Sequence, residues 1–174
     1  VAEAYYRKND NKIFNVSIYE SAEYKFNKYL RLQANVNGNF MLSRRNYFNS
    51  ANLSTSTPKI ADGGDDTEFN RNLAGEAYFS YNRDFGSHNI SALAGSTLED
   101  WYDEDLSFAG SNYVTEDVTT INSVQALDLL KTTTSGTSHS MVGFFGRLSY
   151  SYKGKYLFNS NIRRDGSSRF INNR

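Results

Sequence analysis

The sequence predicts an all-β protein: an antiparallel, up-and-down transmembrane β-barrel segment built from about six long strands. Three observations predict this fold class. Apolar and polar residues alternate over several stretches, the stretches are longer than ordinary soluble strands, and short turns alternate along the chain with long polar loops.

The alternation is clearest in residues 30–42. Successive side chains of a strand point to opposite faces, so every second residue shares a face. One face there is apolar, while the other carries Arg31, Gln33 and three asparagines. Apolar residues two apart, rather than three and four apart, exclude an amphipathic helix. The apolar members of this run are Leu30, Leu32, Ala34, Val36, Gly38, Phe40 and Leu42.

The alternating runs are long enough to cross a bilayer. Residues 30–42 form a run of about 13 residues, whereas a tilted transmembrane strand needs about 9–11. No run of apolar residues is long enough for a transmembrane helix, so a closed barrel is the remaining way to span a membrane. The other predicted strands cover 13–26, 72–82, 89–101, 141–152 and 156–163.

The connections between these runs alternate in length. Short turns are predicted at 27–28, 83–88 and 153–155, where glycine supplies a tight bend in the last two. Long polar loops are predicted at 43–67 and 102–140, and another from residue 165. Outer-membrane barrels place short turns on the periplasmic side and long loops outside. Residues 1–11 also read as a loop, and 123–131 is predicted to form a short helix within the second long loop.

Composition excludes several classes of function. The 19 basic residues balance 19 acidic ones, which gives no reason to expect a nucleic-acid partner. The absence of cysteine excludes a disulfide scaffold and a thiolate metal site. Only 39% of residues are hydrophobic but 15% are aromatic, so a tyrosine-rich secreted β-sandwich that binds glycans stays open as an alternative.

Two segments resemble a known family. The first is 85–95, which reads FGSHNISALAG, and the second is 144–170, in which 144–152 read FFGRLSYSY and 163–170 read RRDGSSRF. These segments, in this order and spacing, are similar to motifs of the SusC/RagA-like TonB-dependent transporters, the outer-membrane nutrient importers typical of Bacteroidetes. The resemblance covers about 40 residues, and the long loops match no motif of the family.

The resemblance implies a bacterial outer-membrane location and import of oligosaccharides or peptides. It also implies a SusD-like surface lipoprotein and the TonB complex as partners, besides the lipid bilayer and a glycan or peptide ligand. Family barrels have 22 strands and a plug. We therefore expect residues 1–174 to be part of a single barrel domain, a slice of a larger barrel without the plug domain.

Candidate site residues are few, and we expect neither an enzyme nor a bound cofactor. Trp101 and Tyr102 lie at a predicted strand end, where they suit an interfacial aromatic girdle or a platform for a sugar ring. The resemblance implies a structural ion-pair and turn device formed by Arg163, Asp165 and Arg169, with Gly166 at its bend, and it includes Arg147 in the preceding strand.

Metal-binding chemistry has little support in the sequence. The two histidines, His88 and His139, lack a partner at the spacing of a zinc or catalytic motif. Acidic clusters at 62–66 and 99–105 offer hard oxygen ligands of the kind that Ca²⁺ takes, but not in EF-hand spacing. Solvated loops are therefore the favoured interpretation of both clusters, and no metal site is predicted.

Overall fold

The computed structural model describes residues 6–170 and consists almost entirely of β-structure. The strands in this part of the chain are β1 (Arg7–Lys25), β2 (Leu30–Asn49), β3 (Asp62–Phe85), β4 (His88–Tyr113), β5 (Val124–Leu127), β6 (Thr133–Tyr152) and β7 (Tyr156–Ser167). One antiparallel sheet contains all of them, in the order β1–β2–β3–β4–β6–β7, with the short β5 paired to β4. Three single turns of 3₁₀-helix lie at Ala51–Leu53, Ile121–Ser123 and Ser168–Phe170.

The predicted fold class is confirmed: six long strands follow one another as antiparallel neighbours, and the sheet they form is not closed. The last hairpin shows the register. Tyr152 pairs with Tyr156, and the ladder continues to Met141 opposite Ser167. Its turn holds Lys153 and Gly154 at φ 52° and 65°, the left-handed conformation that glycine adopts without steric cost.

Contacts divide the chain into two units. Unit 1 comprises Val1–Val16, Phe40–Asn70 and Tyr102–Thr137, and it contains both long connections between strands. Unit 2 comprises Ser17–Asn39, Arg71–Trp101 and Ser138–Arg174, and it contains the three short turns.

The strands extend well beyond the lengths that the sequence predicted. β2 continues to Asn49 and β3 begins at Asp62, so most of the loop predicted at 43–67 is strand. β1 begins at Arg7, so residues 7–11 of the loop predicted at 1–11 are strand as well. Cross-strand polar pairs replace apolar alternation there. Arg45 lies 3.6 Å from Asp66, and Asn49 donates to Asp62 at 3.1 Å. Polar residues predominate on both faces in this part, with Tyr47 and Phe48 as the exceptions in β2, so apolar and polar residues do not alternate there.

The second predicted loop is corrected in the same way. β4 reaches Tyr113 and β6 begins at Thr133, so the acidic cluster at 99–105 lies in a strand rather than a loop. The helix predicted at 123–131 is wrong: Val124–Leu127 is β5, and a turn follows in which the amides of Lys131 and Thr132 donate to the Asp128 carbonyl. Pairing with β4 overrode the local helical pattern.

The hydrophobic residues are mostly exposed. Phe14, Phe144 and Ile162 expose 66%, 61% and 73% of their surface. Among the described residues the buried hydrophobic side chains are Phe48, Ala61 and Ala109, all of unit 1. A sandwich needs a second sheet to cover such a face, and the described residues form a single sheet. The sandwich alternative is therefore not the fold of this chain.

Candidate functional site

The polar face of the sheet carries hydrogen bonds between side chains of neighbouring strands in unit 2. It is the face opposite the exposed apolar residues. Ser17 donates to Asn39 at 2.7 Å, which joins β1 to β2. Asn35 of β2 donates to the Glu76 carboxylate of β3 at 2.8 Å. Polar side chains on neighbouring strands therefore satisfy one another rather than standing alone in solvent.

Further hydrogen bonds of this kind lie nearer the short turns. The Arg31 guanidinium donates to the Ser80 hydroxyl at 2.7 Å and lies 3.5 Å from Glu23. On β6 and β7, Arg147 donates to Asn161 at 3.0 Å. Arginine presents several donors in a planar fork, so one side chain can join two strands.

Two glycines on the polar face leave room for side chains of the neighbouring strands. A Cβ on Gly95 would collide with the Tyr78 side chain and the Ala77 carbonyl, and it would lie 2.9 Å from the Phe145 ring. The rings of Tyr78 and Phe145 are 6.4 Å apart. Gly95 therefore leaves the space in which these two aromatic rings approach each other between β3 and β6.

Gly143 plays the same part beside a charged pair. A Cβ on Gly143 would come within 2.5 Å of an Asp165 carboxylate oxygen and 2.6 Å of the Thr97 hydroxyl. The Arg163 Nε donates to both oxygens of Asp165 at 2.9 Å. The predicted ion pair is present, with both partners on the polar face because they are two residues apart in β7.

An aromatic row made of Trp101, His139 and Arg169 lies across the same face. The indole and imidazole rings stack with centroids 4.5 Å apart and 12° between their planes. Arg169 Nη2 lies 3.0 Å from His139 Nδ1. All three residues are in unit 2, and together they offer a flat apolar surface edged by hydrogen-bond donors.

An open cleft of about 190 Å³ lies on this face in unit 2. Amide, hydroxyl and carboxylate groups line it, which suits a hydrogen-bonding ligand better than an apolar one. Its lining residues are Asn35, Asn37, Ala74, Gly75, Glu76, Thr97 and Glu99.

The structure separates the two aromatic residues that the sequence had grouped. Trp101 and Tyr102 are neighbours in β4 and point to opposite faces. Tyr102 lies 6.2 Å from the Phe69 ring and donates to Glu104 at 2.8 Å. Trp101 lies on the polar face, and Tyr102 points away from it.

The expected bend at Gly166 is wrong. β7 continues to Ser167, and Gly166 pairs with Val142 inside the ladder. Positive φ among the glycines occurs at Gly86 and Gly154, in the described part of the chain. The motif at 163–170 therefore continues the strand to Ser167, and the 3₁₀ turn at Ser168–Phe170 then brings Arg169 to His139.

Sequence reasoning missed His139 and Glu76. His139 has no motif partner near it in the sequence. Of the two residues that it contacts, Trp101 lies in β4 and Arg169 lies in the 3₁₀ turn after β7. The strand pairing supplies that information, and only counting positions across the β4–β6 ladder could have found it.

The acidic clusters are used within the fold. Asp65 accepts from Asn46 at 3.1 Å, and Asp66 accepts from Ser107 at 2.8 Å. Within residues 6–170, no three histidines or carboxylates gather closely enough to hold a metal ion. The helices in this part of the chain are too short and too polar for any of them to cross a membrane.

Comparison with known proteins agrees with this architecture. No protein-family model matches the sequence. TonB-dependent receptor P39 of Formosa agariphila is 29% identical over 175 residues, which is 100% of this chain and 17% of that receptor. TonB-dependent receptor SusC of Bacteroides thetaiotaomicron is 27% identical over 151 residues, 85% of this chain and 14% of SusC.

A solved structure of the RagAB peptide transporter shares the fold. It superimposes with a TM-score of 0.87 and 15% identity, over 96% of this chain and 19% of the transporter chain. The chain thus spans about a fifth or less of the proteins that it matches. It is homologous to the TonB-dependent receptors, SusC among them, and it shares the fold of a part of the RagAB transporter chain.

Proposed function

We propose that the protein containing this chain is an outer-membrane, TonB-dependent nutrient importer. Residues 1–174 form part of its single barrel domain, as wall and extracellular loops. One observation carries the proposal: the same strands have an exposed apolar face and a hydrogen-bonded polar face. Lipid covers the first face, and the second lines a water-filled lumen.

The apolar face has the height of a hydrocarbon layer. In β1 its residues run from Phe14 to the end of the strand, with Glu20 as the one charged residue among them, and in β2 from Leu30 to Leu42. About 13 residues at roughly 3.3 Å each span about 43 Å along the strand. A strand tilt of about 45° reduces this to about 30 Å, the thickness of the hydrocarbon core.

The aromatic row supports a role of the polar face in ligand contact. Trp101 gives a flat surface for a sugar ring or an apolar side chain, and Arg169 gives hydrogen-bond donors beside it. The ligand is an oligosaccharide or a peptide. The RagAB structure is described as a peptide transporter, which supports the second class.

The partners follow from the same relatives. A SusD-like surface lipoprotein covers the extracellular loops, and the TonB complex supplies energy through parts of the protein outside this chain. The similarity to SusC and to RagAB supports both partners. The relatives are named as receptors and a transporter, which supports transport rather than catalysis.

Two measurements on the full-length protein test the proposal. Cell fractionation and a heat-modifiability gel determine whether the protein is a folded barrel in the outer membrane. Uptake of labelled oligosaccharide and peptide mixtures, compared between wild-type and gene-deletion cells, determines whether it imports either class. Recovery as a soluble periplasmic protein would reject the barrel, and unchanged uptake of both mixtures on deletion would reject import.

A further inference from the structure

The end of unit 2 that holds the short turns carries a row of four cations, three of which lie over an aromatic ring. Lys28 Nζ is 4.9 Å from the Tyr29 ring centroid, and the Arg83 guanidinium is 4.6 Å from the same ring. Lys153 Nζ is 5.3 Å from the Tyr152 ring. Every short turn therefore has at least one cation and one aromatic residue next to it. We call Lys28, Arg83, Lys153 and Lys155 the turn rim.

The charges of the turn rim are not neutralised by neighbouring carboxylates. The acidic residues at this end of unit 2 are Glu23 and Asp84. Glu23 pairs with Lys25 at 3.2 Å and with Arg31 at 3.5 Å, both outside the rim. Asp84 accepts from Asn89 at 2.6 Å. An excess of positive charge thus remains at the turns, and it attracts anions.

The charge is concentrated in unit 2, although the chain is neutral. Among the described residues, unit 2 has 11 basic and 7 acidic side chains, while unit 1 has 7 basic and 11 acidic. In the described part of the chain, unit 2 therefore carries a net positive charge and unit 1 a net negative charge, although the whole sequence is neutral.

The rim lies directly at the border of the apolar face. Arg83 is 4.4 Å from the ring of Phe85, and Phe85 and Tyr156 are exposed by 41% and 69%. Near the first turn, Lys25, Lys28, Tyr29 and Arg31 are among the residues that line a cleft of about 310 Å³. Exposed aromatic rings next to cations are the composition of a membrane interface, where rings sit at headgroup level and charges reach into it.

We propose that the turn rim binds the headgroups of anionic phospholipids in the leaflet that it meets. The phosphate of the headgroup accepts hydrogen bonds from Lys28, Arg83 and Lys153, while the adjoining rings remain in the interface. A basic residue near an anionic bilayer surface contributes an attraction equal to about fivefold in affinity. This inference rests on the proposed membrane location of the strands.

The test uses the full-length protein in nanodiscs made of equal parts phosphatidylethanolamine and phosphatidylglycerol. Native mass spectrometry counts the lipids that stay bound after the disc is removed. We expect phosphatidylglycerol to be enriched on the wild-type protein, and the enrichment to fall about fivefold for each rim cation replaced by glutamine. The test variant is Lys28→Gln, Arg83→Gln and Lys153→Gln combined.

The matched control replaces Lys8, Lys12 and Lys59 of unit 1 by glutamine, which removes the same charge elsewhere. The control should keep the wild-type enrichment. An equal loss of phosphatidylglycerol enrichment in the control would show that only net charge matters, and this would overturn the proposal. A wild-type protein without phosphatidylglycerol enrichment would overturn it as well. Displacement of the lipid by millimolar inorganic phosphate would identify a free-phosphate site instead.

Failure of this proposal is distinguishable from failure of the proposed function. A heat-modifiable barrel without preference for phosphatidylglycerol counts against the turn rim alone. A barrel that keeps the preference but imports nothing counts against import alone.

Discussion

The Ser50 hydroxyl donates a hydrogen bond of 2.6 Å to the Glu116 carboxylate, although 66 positions separate the two residues. The other Glu116 oxygen accepts from the Ala51 amide at 2.8 Å. Ser50 is only 2% exposed and also caps the 3₁₀ turn at Ala51–Leu53. One carboxylate therefore holds two long connections of unit 1 together.

Glu116→Ala should loosen the segment at 50–54 without unfolding the sheet. It leaves the buried Ser50 hydroxyl without its partner, at a cost of about 1–3 kcal/mol. Hydrogen exchange measured by mass spectrometry should show faster exchange in this segment. Asp117→Ala is the control, because Asp117 contacts Thr115 and not Ser50; equal exchange in both variants would contradict the assignment.

Gly95→Ala should destabilise the barrel segment by about 1–3 kcal/mol, the usual cost of overpacking. Its Cβ would collide with Tyr78 and with a backbone carbonyl, neither of which can move freely. Gly75→Ala is the comparison, since its Cβ would meet nothing nearer than 3.9 Å. The folded fraction on a heat-modifiability gel, measured along a urea series, should separate the two variants.

Leu148→Arg should impair assembly into the membrane, whereas Ser149→Arg should not. The two residues are neighbours in β6 and point to opposite faces. Arginine on the lipid-facing side near the bilayer midplane costs about 2–4 kcal/mol, while a luminal arginine stays in water. Comparable losses of outer-membrane protein from both variants would reject the assignment of the faces.

Trp101→Ala should weaken ligand binding about tenfold, equal to about 1.4 kcal/mol, without lowering the amount of folded protein. The reason is the loss of the flat surface that Trp101 forms with His139. Tyr102→Ala is the control on the opposite face. Isothermal titration with the imported ligand would provide the affinities, and an unchanged value for Trp101→Ala would remove the aromatic row from the binding surface.

Acid should loosen the turn that follows β5. A hydrogen bond from Lys131 lowers the pKa of Asp128. Because the folded pKa lies below the unfolded value of about 3.9, the stabilisation is complete above that pH and disappears as pH falls through the folded pKa. Asp128 also accepts from the Leu130 amide at 3.1 Å.

The measurement is exchange of the Leu130 amide at several acidic pH values, corrected for the intrinsic rate. Protection should decline with acid in the wild-type protein and stay level in Asp128→Asn, which does not titrate. A parallel decline in both proteins would assign the effect to another group.

The sequence predicts those parts of the strands where one face is apolar. The predicted start of β2 at Leu30 is correct because the alternation begins there. The sequence does not predict its end at Asn49, because polar residues predominate on both faces beyond Leu42 and the alternation stops. Cross-strand pairs such as Arg45 with Asp66 hold that part, and a pairing between strands is invisible to a local pattern.

The candidate site shows the same limit. The resemblance singled out Arg163, Asp165 and Arg169, and the Arg163–Asp165 ion pair is present. The contact of Arg169 with His139 depends on which strands are neighbours, and no spacing along the chain encodes it. The sequence does not distinguish the roles of Trp101 and Tyr102. The structure does, because the two residues are neighbours in β4 and therefore point to opposite faces of the sheet.

The contact between Arg169 and His139 also fixes where the histidine keeps its proton. A guanidinium group can only donate, so Nδ1 of the ring must accept and the neutral imidazole carries its hydrogen on Nε2. Both residues then present N–H groups beside the indole ring of Trp101. If the row binds ligand as proposed, these N–H groups make it directional: it should favour groups that accept hydrogen bonds, such as hydroxyl, carbonyl and carboxylate oxygens, over groups that can only donate.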